Sequence, residues 1–140
     1  MNRYFYNELV KISSSRKSRR RTQRDMRRAL YRFSKKQGVD PRQSMLVAGG
    51  AMYLHGMRNS VNDIDFFHPD LPDFVKAPEG RFDMDGGPAK DLPNSAKQYQ
   101  MIGGMRVQTP ESMLVFYQRL NRPKDQKKIK MLKAYLKGKK

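Results

Sequence analysis

The stretch that decides the fold reads Leu46-Val47-Ala48-Gly49-Gly50-Ala51-Met52-Tyr53-Leu54-His55-Gly56, followed after Met57 by Arg58-Asn59-Ser60-Val61-Asn62-Asp63-Ile64-Asp65-Phe66. Residues 45–48 form a compact apolar run that is typical of a buried strand ending at a glycine turn. Residues 51–55 predict a short helix, which Gly56 would end. Residues 61–67 predict a second strand, in which alternate side chains share one face. Asp63 and Asp65 are therefore expected on the same side of a sheet.

The glycine pair and the two aspartates share one chemical interpretation. A glycine turn lets phosphate oxygens approach the backbone amides of the following helix, which Gly49 and Gly50 would allow. Asp63 and Asp65 offer the hard oxygen ligands that magnesium prefers. Each motif taken singly is a common turn or surface feature. Their order and separation favour metal-assisted chemistry on a nucleotide.

Three further positions extend this candidate site. Ser60 would add a hydroxyl and Arg58 a charge-assisted contact to phosphate. A carboxylate on a neighbouring strand usually completes such a metal site. Residues 81–85 alternate in the same way as the aspartate strand, so we expect Asp83 first and Asp85 second as the third ligand. The surrounding residues 71–96 are rich in Pro, Gly and Asp and predict mainly loop.

The two ends of the chain predict helices. Residues 2–12 and 16–37 each repeat apolar residues at helical spacing, and Ser13-Ser14-Ser15 is expected to separate the two helices. The apolar stripes of these helices are, in order, Phe5, Leu9, Ile12 and Met26, Leu30, Phe33. A hairpin over residues 99–107, a helix from Thr109 to about Leu120 and a last helix over 123–136 are also predicted.

Charge divides the chain into three parts. Residues 1–42 carry 14 basic and 3 acidic side chains, residues 43–116 carry 6 and 9, and residues 117–140 carry 10 and 1. We therefore predict a basic helical N-terminal arm (1–42), an enzyme-like core (43–116) and a basic C-terminal helix packed on that core (117–140). The net charge of +17 indicates a polyanionic partner, either nucleic acid or the acidic surface of another protein.

The densest cationic run lies in the N-terminal arm. A solvated helix face is the simplest explanation of such charges, but repulsion among them favours neutralisation by phosphate. The guanidinium group suits bidentate phosphate contacts, so we predict nucleic-acid binding there. The predicted nucleic-acid-binding residues are Arg16, Arg19, Arg20, Arg21, Arg24 and Arg28. No sequence-specific RNA-recognition motif or zinc finger accompanies them.

Composition excludes several classes of protein. The absence of cysteine excludes disulfides and thiolate metal sites, and fits the cytoplasm. No apolar run is long enough to span a bilayer, and no signal-peptide pattern is visible at the N-terminus. We expect a protein without a membrane partner, in the cytoplasm or within a virion or another nucleoprotein particle.

Residues 46–66 resemble the nucleotidyltransferase superfamily, the group with a DNA polymerase beta-like fold. The glycine stretch is similar to its first strand, glycine motif and helix, and residues 58–66 to its Arg-x-Ser/Thr-x-x-Asp-hydrophobic-Asp segment. Thr109-Pro110-Glu111-Ser112 and Lys124-Asp125 resemble segments of the minimal, abortive-infection-type toxin nucleotidyltransferases. The resemblance covers residues 44–132.

The resemblance implies an α/β (α+β) protein, with a small mixed sheet and flanking helices. It also implies magnesium-dependent transfer of a nucleoside monophosphate from a nucleoside triphosphate to an RNA end, such as tRNA, or to a protein hydroxyl. Asp63, Asp65 and Asp83 (or Asp85) would hold the metal, Gly49 and Gly50 would contact the phosphates, and Lys124 would reach the triphosphate. A pairing with an antitoxin follows from the resemblance alone.

An inactive relative is the alternative. A protein could keep this fold, lose the chemistry and serve a structural, nucleic-acid-associated role, for example in a virion. The two histidines do not decide between these functions. We expect His55 to have a packing or hydrogen-bonding role and His68 a structural role at a strand end.

Overall fold

The computed structural model of the protein describes the backbone of residues 3–138 and the side chains of residues 16–138. Within that part the chain is a mixed α+β protein with one six-stranded sheet. The strands are β1 (Met45–Val47), β2 (Asp63–His68), β3 (Val75–Glu79), β4 (Phe82–Pro88), β5 (Tyr99–Ile102) and β6 (Met105–Gln108). The α-helices are α1 (Arg3–Lys36), α2 (Ala48–Leu54), α3 (Pro110–Leu120) and α4 (Gln126–Gly138).

The sheet has the strand order β3-β4-β2-β1-β6-β5. Strand β2 pairs antiparallel with β1 and parallel with β4, and β1 pairs parallel with β6. The two edge hairpins, β3–β4 and β5–β6, are antiparallel. The expectation of a mixed sheet with flanking helices is confirmed.

Helix α1 differs from the two helices that the sequence predicts. It runs without interruption from Arg3 to Lys36, so the separation at Ser13-Ser14-Ser15 is wrong. Serine costs a helix interior only a fraction of a kcal/mol, roughly 0.5 relative to alanine, and no Gly or Pro lies nearby to break the helix. The predicted stripe of Phe5, Leu9 and Ile12 lies outside the residues whose side chains are described.

The core lies between α1 and one face of the sheet. The predicted stripe of Met26, Leu30 and Phe33 is buried there, and the Phe33 and Phe66 rings meet edge to face with centroids 5.9 Å apart. Ile129 and Leu132 of α4 belong to the same cluster. One core thus contains residues from all three segments that the charge pattern separates.

Residues 71–96 contain more strand than predicted, since both β3 and β4 fall within them. The proline of β3, Pro78, lies on an edge strand, where a missing backbone donor is tolerated. Gly86 and Gly87 lie inside β4 rather than in a turn. A β-carbon at Gly86 would come within 2.5 Å of the Phe66 ring, so close aromatic packing explains this glycine.

The C-terminal elements agree with the sequence. The chain turns at Gly103-Gly104 between β5 and β6, and both glycines have positive φ angles. Thr109 caps α3 by accepting a hydrogen bond from the Ser112 backbone at 3.2 Å. The last helix begins with a short 3-10 turn at Pro123. No helix among the described residues is both long enough and apolar enough to cross a membrane.

Candidate active site

The junction of β1 and α2 forms one wall of the site. Ala48 adopts φ +53°, a left-handed conformation that is uncommon for a residue with a β-carbon and that costs on the order of 1–3 kcal/mol. It turns the chain directly from β1 into α2, so that Gly49 and Gly50 lie in the first turn of the helix. The sequence predicts that the glycine pair makes this turn before a helix starting at residue 51. That boundary is wrong, because Ala48 makes the turn.

The two glycines have different surroundings. Gly49 faces the site, and a β-carbon there would collide with the guanidinium group of Arg58. Gly50 is buried, and its nearest neighbour would be the Met26 methyl group at 3.5 Å. Gly49 therefore gives Arg58 its position beside the helix, whereas Gly50 packs against α1.

The carboxylates lie on two adjacent parallel strands in matching register. Asp63 of β2 is paired with Asp83 of β4, and Asp65 with Asp85. Ile64 between the two β2 aspartates is fully buried. Alternation thus places the four carboxylates on the face of the sheet opposite to the main core, as the sequence predicts for Asp63 and Asp65.

Of the four carboxylates, Asp65 and Asp85 lie deepest. Both are half-buried, whereas Asp63 and Asp83 are exposed. Burial raises the pKa of Asp65 above its usual value, and the negative charges of Asp85 and Asp63 raise it further. Lys128 and Lys76 act in the opposite direction. Of the neighbouring negative charges, that of Asp85 raises the pKa of Asp65 most.

A cleft of about 390 Å³ opens beside Asp65 and Asp85. One side of it is aromatic: Phe67, Phe74 and Phe116 line it, and the Phe67 and Phe74 rings meet edge to face at 6.4 Å. Phe74 leaves 58% of its surface exposed, so its ring is accessible from solvent. The aromatic side offers a stacking surface for a flat ring.

Three cations also line the cleft. They are Arg122, Lys124 and Lys128. The Arg122 guanidinium is held by the buried carboxylate of Asp125 through two hydrogen bonds of 2.7 and 3.0 Å. The ammonium group of Lys128 lies 5.1 Å from the centroid of the Tyr117 ring. The two residues of the Lys124-Asp125 pair therefore differ in position. Lys124 lines the cleft, and the buried Asp125 holds the Arg122 guanidinium in place.

A second cavity of about 220 Å³ adjoins the cleft. Both cavities are lined by Ala48, Asp65 and Lys128, so they form one continuous site. The second cavity is lined by three of the residues that the sequence assigns to phosphate binding and by two of the aspartates that it assigns to metal binding. These are Gly49, Arg58 and Ser60, and Asp63 and Asp65.

Tyr117 is a buried polar group in the cleft. Its side chain is 2% exposed, and its hydroxyl has no hydrogen-bond partner among the residues whose side chains are described. Burial, together with the negative charges of Asp125 and Asp65, raises the pKa of Tyr117 to about 12. The group is therefore a neutral hydroxyl with unused hydrogen-bonding capacity.

The structure brings most of the predicted site residues together. Gly49, Arg58, Ser60, Asp63, Asp65, Asp85 and Lys124 line the two joined cavities. Gly50 and Asp83 line neither. Lys128, Arg122, Tyr117 and the aromatic side are not among the residues that the sequence singles out. Two signals point to them: Lys128 follows Lys124 at helical spacing, and Phe67 shares a strand face with Asp65.

The predicted nucleic-acid-binding arginines lie on α1, away from the carboxylates. Arg16, Arg20, Arg24 and Arg28 recur at four-residue spacing and are exposed, as is Arg21. Arg19 is half-buried and donates to the Arg58 carbonyl oxygen at 3.1 Å. The exposed arginines form a cationic row along α1, and Arg19 beside them contacts the segment that carries Arg58.

The histidines have structural contacts. Nε2 of His55 lies 2.8 Å from the Gln108 carbonyl oxygen. Nδ1 of His68 accepts a hydrogen bond from the Asp70 amide at 2.9 Å, so Nε2 donates to the Asp40 carbonyl oxygen at 2.7 Å. Neither ring lines the cleft or the adjoining cavity.

Among the described residues, no three Asp, Glu, His or Cys side chains already converge on a common metal position. The carboxylates are neighbours along two strands rather than a closed ligand cage. Comparison of the chain with protein-family models, with curated proteins and with solved structures gives no match. The function is therefore argued from the site itself.

Proposed function

We propose that this protein has a nucleotidyltransferase fold and transfers a nucleoside monophosphate from a nucleoside triphosphate to a hydroxyl acceptor. In this reaction the acceptor oxygen attacks the α-phosphorus, and the bond from that phosphorus to the oxygen bridging to the β-phosphate breaks. Pyrophosphate leaves with that electron pair, and the acceptor proton passes to water or to a nearby carboxylate. The acceptor is an RNA end or a protein side chain.

One observation carries the proposal: a single cleft is lined by paired carboxylates, by cations and by aromatic rings. Asp65 and Asp85 line it together with Arg122, Lys124 and Lys128. A nucleoside triphosphate needs the same three environments, because its base stacks, its phosphates need cations, and its metal needs oxygen ligands. A cleft of about 390 Å³ also lies in the range of small-molecule sites.

Different residues of the site would bind different parts of the nucleotide. Phe74 and Phe116 would stack on the base, while Lys124 and Arg122 would bind the outer phosphates. Lys128 lines both cavities and would contact the phosphate nearest the carboxylates. Arg58, positioned beside Gly49, would bind phosphate from the second cavity. The Tyr117 hydroxyl would find its missing partner on the ligand.

Asp63, Asp65 and Asp85 fit a magnesium site. Carboxylate oxygens are the ligands that this cation prefers. Burial raises the pKa of Asp65, and the negative charges of Asp85 and Asp63, which a cation would offset, raise it further. When bound, magnesium neutralises triphosphate charge and activates the attacking hydroxyl. The geometry favours Asp85 over Asp83 as the third ligand, because Asp85 shares the cleft with Asp65.

The test is transfer of label from α-³²P-labelled nucleoside triphosphates to total RNA and to protein, with and without Mg²⁺. We expect Asp63→Asn combined with Asp65→Asn to reduce labelling at least about 100-fold, because ligand loss removes transition-state charge stabilisation. We expect Asp85→Asn to do the same.

Asp83→Asn is the matched control, since it removes the same charge from the same strand at an exposed position. We expect it to keep labelling within about threefold of the unsubstituted chain, less than 1 kcal/mol of barrier. Labelling that survives the double substitution would refute the proposal. Loss of labelling with Asp83→Asn but not Asp85→Asn would move the third ligand to Asp83.

A second function, nucleic-acid binding without catalysis, is favoured by the exposed arginine row of α1. An inactive protein would bind RNA through α1. It would give no Mg²⁺-dependent rise in melting temperature with any nucleoside triphosphate. The same thermal-shift measurement on the double aspartate variant provides the reference.

A further inference from the structure

A second groove lies on the other side of the segment that carries Ser60. It has a volume of about 360 Å³ and lies between α1, α2 and residues 59–62. Its lining includes two guanidinium groups and, among the described residues, no carboxylate. The polar groups of this lining include those of Arg19, Thr22, Tyr53, Asn59, Asn62 and Arg81. The groove is thus a cationic surface with many hydrogen-bonding groups.

The two arginines hold the groove in shape. Arg19 donates to the Arg58 carbonyl oxygen at 3.1 Å and to Asn59 Oδ1 at 3.4 Å, and its guanidinium lies 4.9 Å from the centroid of the Tyr53 ring. Arg81 donates to Thr22 Oγ1 at 3.0 Å and lies 3.6 Å from Asp25. Each guanidinium has five N–H donors, so these contacts leave donors for a ligand.

The groove adjoins the candidate active site, with residues 60–62 between them. Ser60, Val61 and Asn62 line both the groove and the cavity that contains Asp63 and Asp65. The Asn62 carbonyl oxygen accepts a hydrogen bond from the Asp83 amide at 3.0 Å, which fixes this segment to β4. A ligand in the groove would therefore reach the carboxylates across one short stretch of chain.

The groove also meets the exposed arginine row of α1. Arg19 lies one turn of helix after Arg16 and beside Arg20, and both of these side chains are exposed. Four residues of helix rise about 6 Å, so the row extends along α1 over several turns. Cations therefore continue from the solvent face of α1 through Arg19 to the carboxylates.

We propose that this groove binds the acceptor, and that the acceptor is the single-stranded end of an RNA. Its phosphates would contact the α1 arginines, Arg19 and Arg81, and its ribose hydroxyls would contact Asn59 and Asn62. Guanidinium groups bind phosphodiesters bidentately, and amide side chains suit the 2′-hydroxyl. This inference rests on the proposed function and specifies its acceptor. A protein acceptor is the competing outcome.

The first experiment measures fluorescence anisotropy of a labelled 12-nucleotide single-stranded RNA with the full chain. We expect Arg19→Ala combined with Arg81→Ala to weaken binding by about tenfold or more. The slope of log K against log salt concentration should become shallower by about 1.4, which is about 0.7 for each lost phosphate contact. Arg119→Ala is the matched control, because it removes an exposed arginine from the last turn of α3. The inference would be overturned if Arg119→Ala weakened RNA binding as much as the combined Arg19→Ala and Arg81→Ala variant does.

Arg19 and Arg81 also form hydrogen bonds between elements of the fold, so their replacement by alanine could destabilise the protein. A second set of variants that keeps the positive charge is therefore needed. Arg19→Lys and Arg81→Lys retain the cation and lose the planar fork. If the Ala double variant does not melt cooperatively, the Lys variants decide. We expect them to fold and to bind RNA about threefold to tenfold more weakly than the unsubstituted chain. Unchanged RNA affinity in both Lys variants would overturn the inference.

A photocrosslink locates the RNA independently of affinity. An RNA with 4-thiouridine at its 3′ end is expected to crosslink within residues 53–62. Crosslinks confined to the lysines of α4 would overturn the inference, as would transfer of label to protein but not to RNA. Failure of the two proposals is distinguishable. If RNA binding depends on Arg19 and Arg81 but no label is transferred, the groove proposal stands and the proposed enzymatic function is refuted. If label is transferred to RNA and the Arg19 and Arg81 variants do not change this, the enzymatic function stands and the groove proposal is refuted.

Discussion

At the scale of single residues, the site combines groups that are unfavourable in the protein alone. Asp65 is a half-buried carboxylate beside Asp85 and Asp63, and burial and repulsion both oppose its charge. Tyr117 carries a buried hydroxyl without a partner. Ala48 has a left-handed backbone. Such features commonly cluster where a protein binds a ligand that relieves them.

Asp65→Asn is expected to stabilise the protein in the absence of divalent cations. The amide carries no charge to bury or to repel Asp85, so we expect a gain of about 0.5–2 kcal/mol and a rise in melting temperature of roughly 2–8 °C. Thermal melts in EDTA measure it. In the same variant, the stabilisation given by Mg²⁺ with a nucleoside triphosphate should disappear. The exposed Asp83→Asn should change either quantity little, and a lower melting temperature for Asp65→Asn in EDTA would contradict the argument.

Tyr117→Phe tests the unpartnered hydroxyl. Removing it relieves the desolvation of a buried polar group, so we expect the variant to be as stable as the unsubstituted chain or more stable by about 1 kcal/mol. Calorimetric titration should show that triphosphate affinity falls by about fivefold to tenfold. Tyr31→Phe is the contrast, because the Tyr31 hydroxyl donates to the Gly104 carbonyl oxygen at 3.2 Å. It should lose stability and keep affinity, and unchanged affinity in Tyr117→Phe would exclude a ligand contact.

At the scale of secondary-structure elements, α1 has two roles along its length. Its C-terminal half packs Met26, Leu30 and Phe33 into the core, and its exposed face carries the arginine row. Glu79, at the end of edge strand β3, is 6% exposed and accepts from Lys36 at 2.7 Å and from Arg32 at 3.0 Å. These ion pairs fasten the cationic helix to the sheet.

Glu79→Gln is expected to weaken this attachment. The hydrogen bond from Lys36, followed by that from Arg32, lowers the pKa of Glu79 below 4.5. A lowered folded-state pKa contributes stability that is complete above the unfolded value and is lost as the pH falls through the folded one. The unsubstituted chain should therefore lose stability below pH 4.5 more steeply than Glu79→Gln does.

Thermal melts between pH 3 and 7 measure both effects. At pH 7 we expect Glu79→Gln to melt about 2–6 °C lower, a modest loss because Arg32 and Lys36 remain solvated. Glu111→Gln provides the control, since Glu111 is exposed in the first turn of α3. Equal melting temperatures for Glu79→Gln and Glu111→Gln at every pH would show that the pairs contribute nothing.

At the scale of the whole molecule, opposite charges are separated by the fold. The acidic middle of the sequence places its aspartates on one sheet face, while α1 and α4 supply cations from the two ends of the chain. Lys128 reaches Asp65 although more than 60 residues separate them. The fold thus converts a charge pattern along the sequence into a site that carboxylates and cations line together.

Much of the fold is predictable from local sequence. The strand, glycines, short helix and aspartate strand follow from apolar runs and period-two alternation, and the α3 cap from Thr109 and Pro110. The boundaries fail where tertiary packing overrides local signals. Gly86 and Gly87 indicate a loop by composition, yet they lie in β4, because the Phe66, Phe67 and Phe74 rings occupy the space a side chain would need.

The sequence by itself determined that Asp63 and Asp65 share a strand face, that cations concentrate at both ends, and that Gly49 lies beside this strand. Only the tertiary structure distinguishes Asp85, which lines the cleft, from Asp83, which lines neither cavity. Alternation assigns both to the same face, and they differ only in which end of β4 lies beside the cleft. The tertiary structure alone also places Lys128, Tyr117 and the aromatic side beside Asp65. The physical reason is that such contacts depend on strand register and helix packing between distant segments, which no local periodicity encodes.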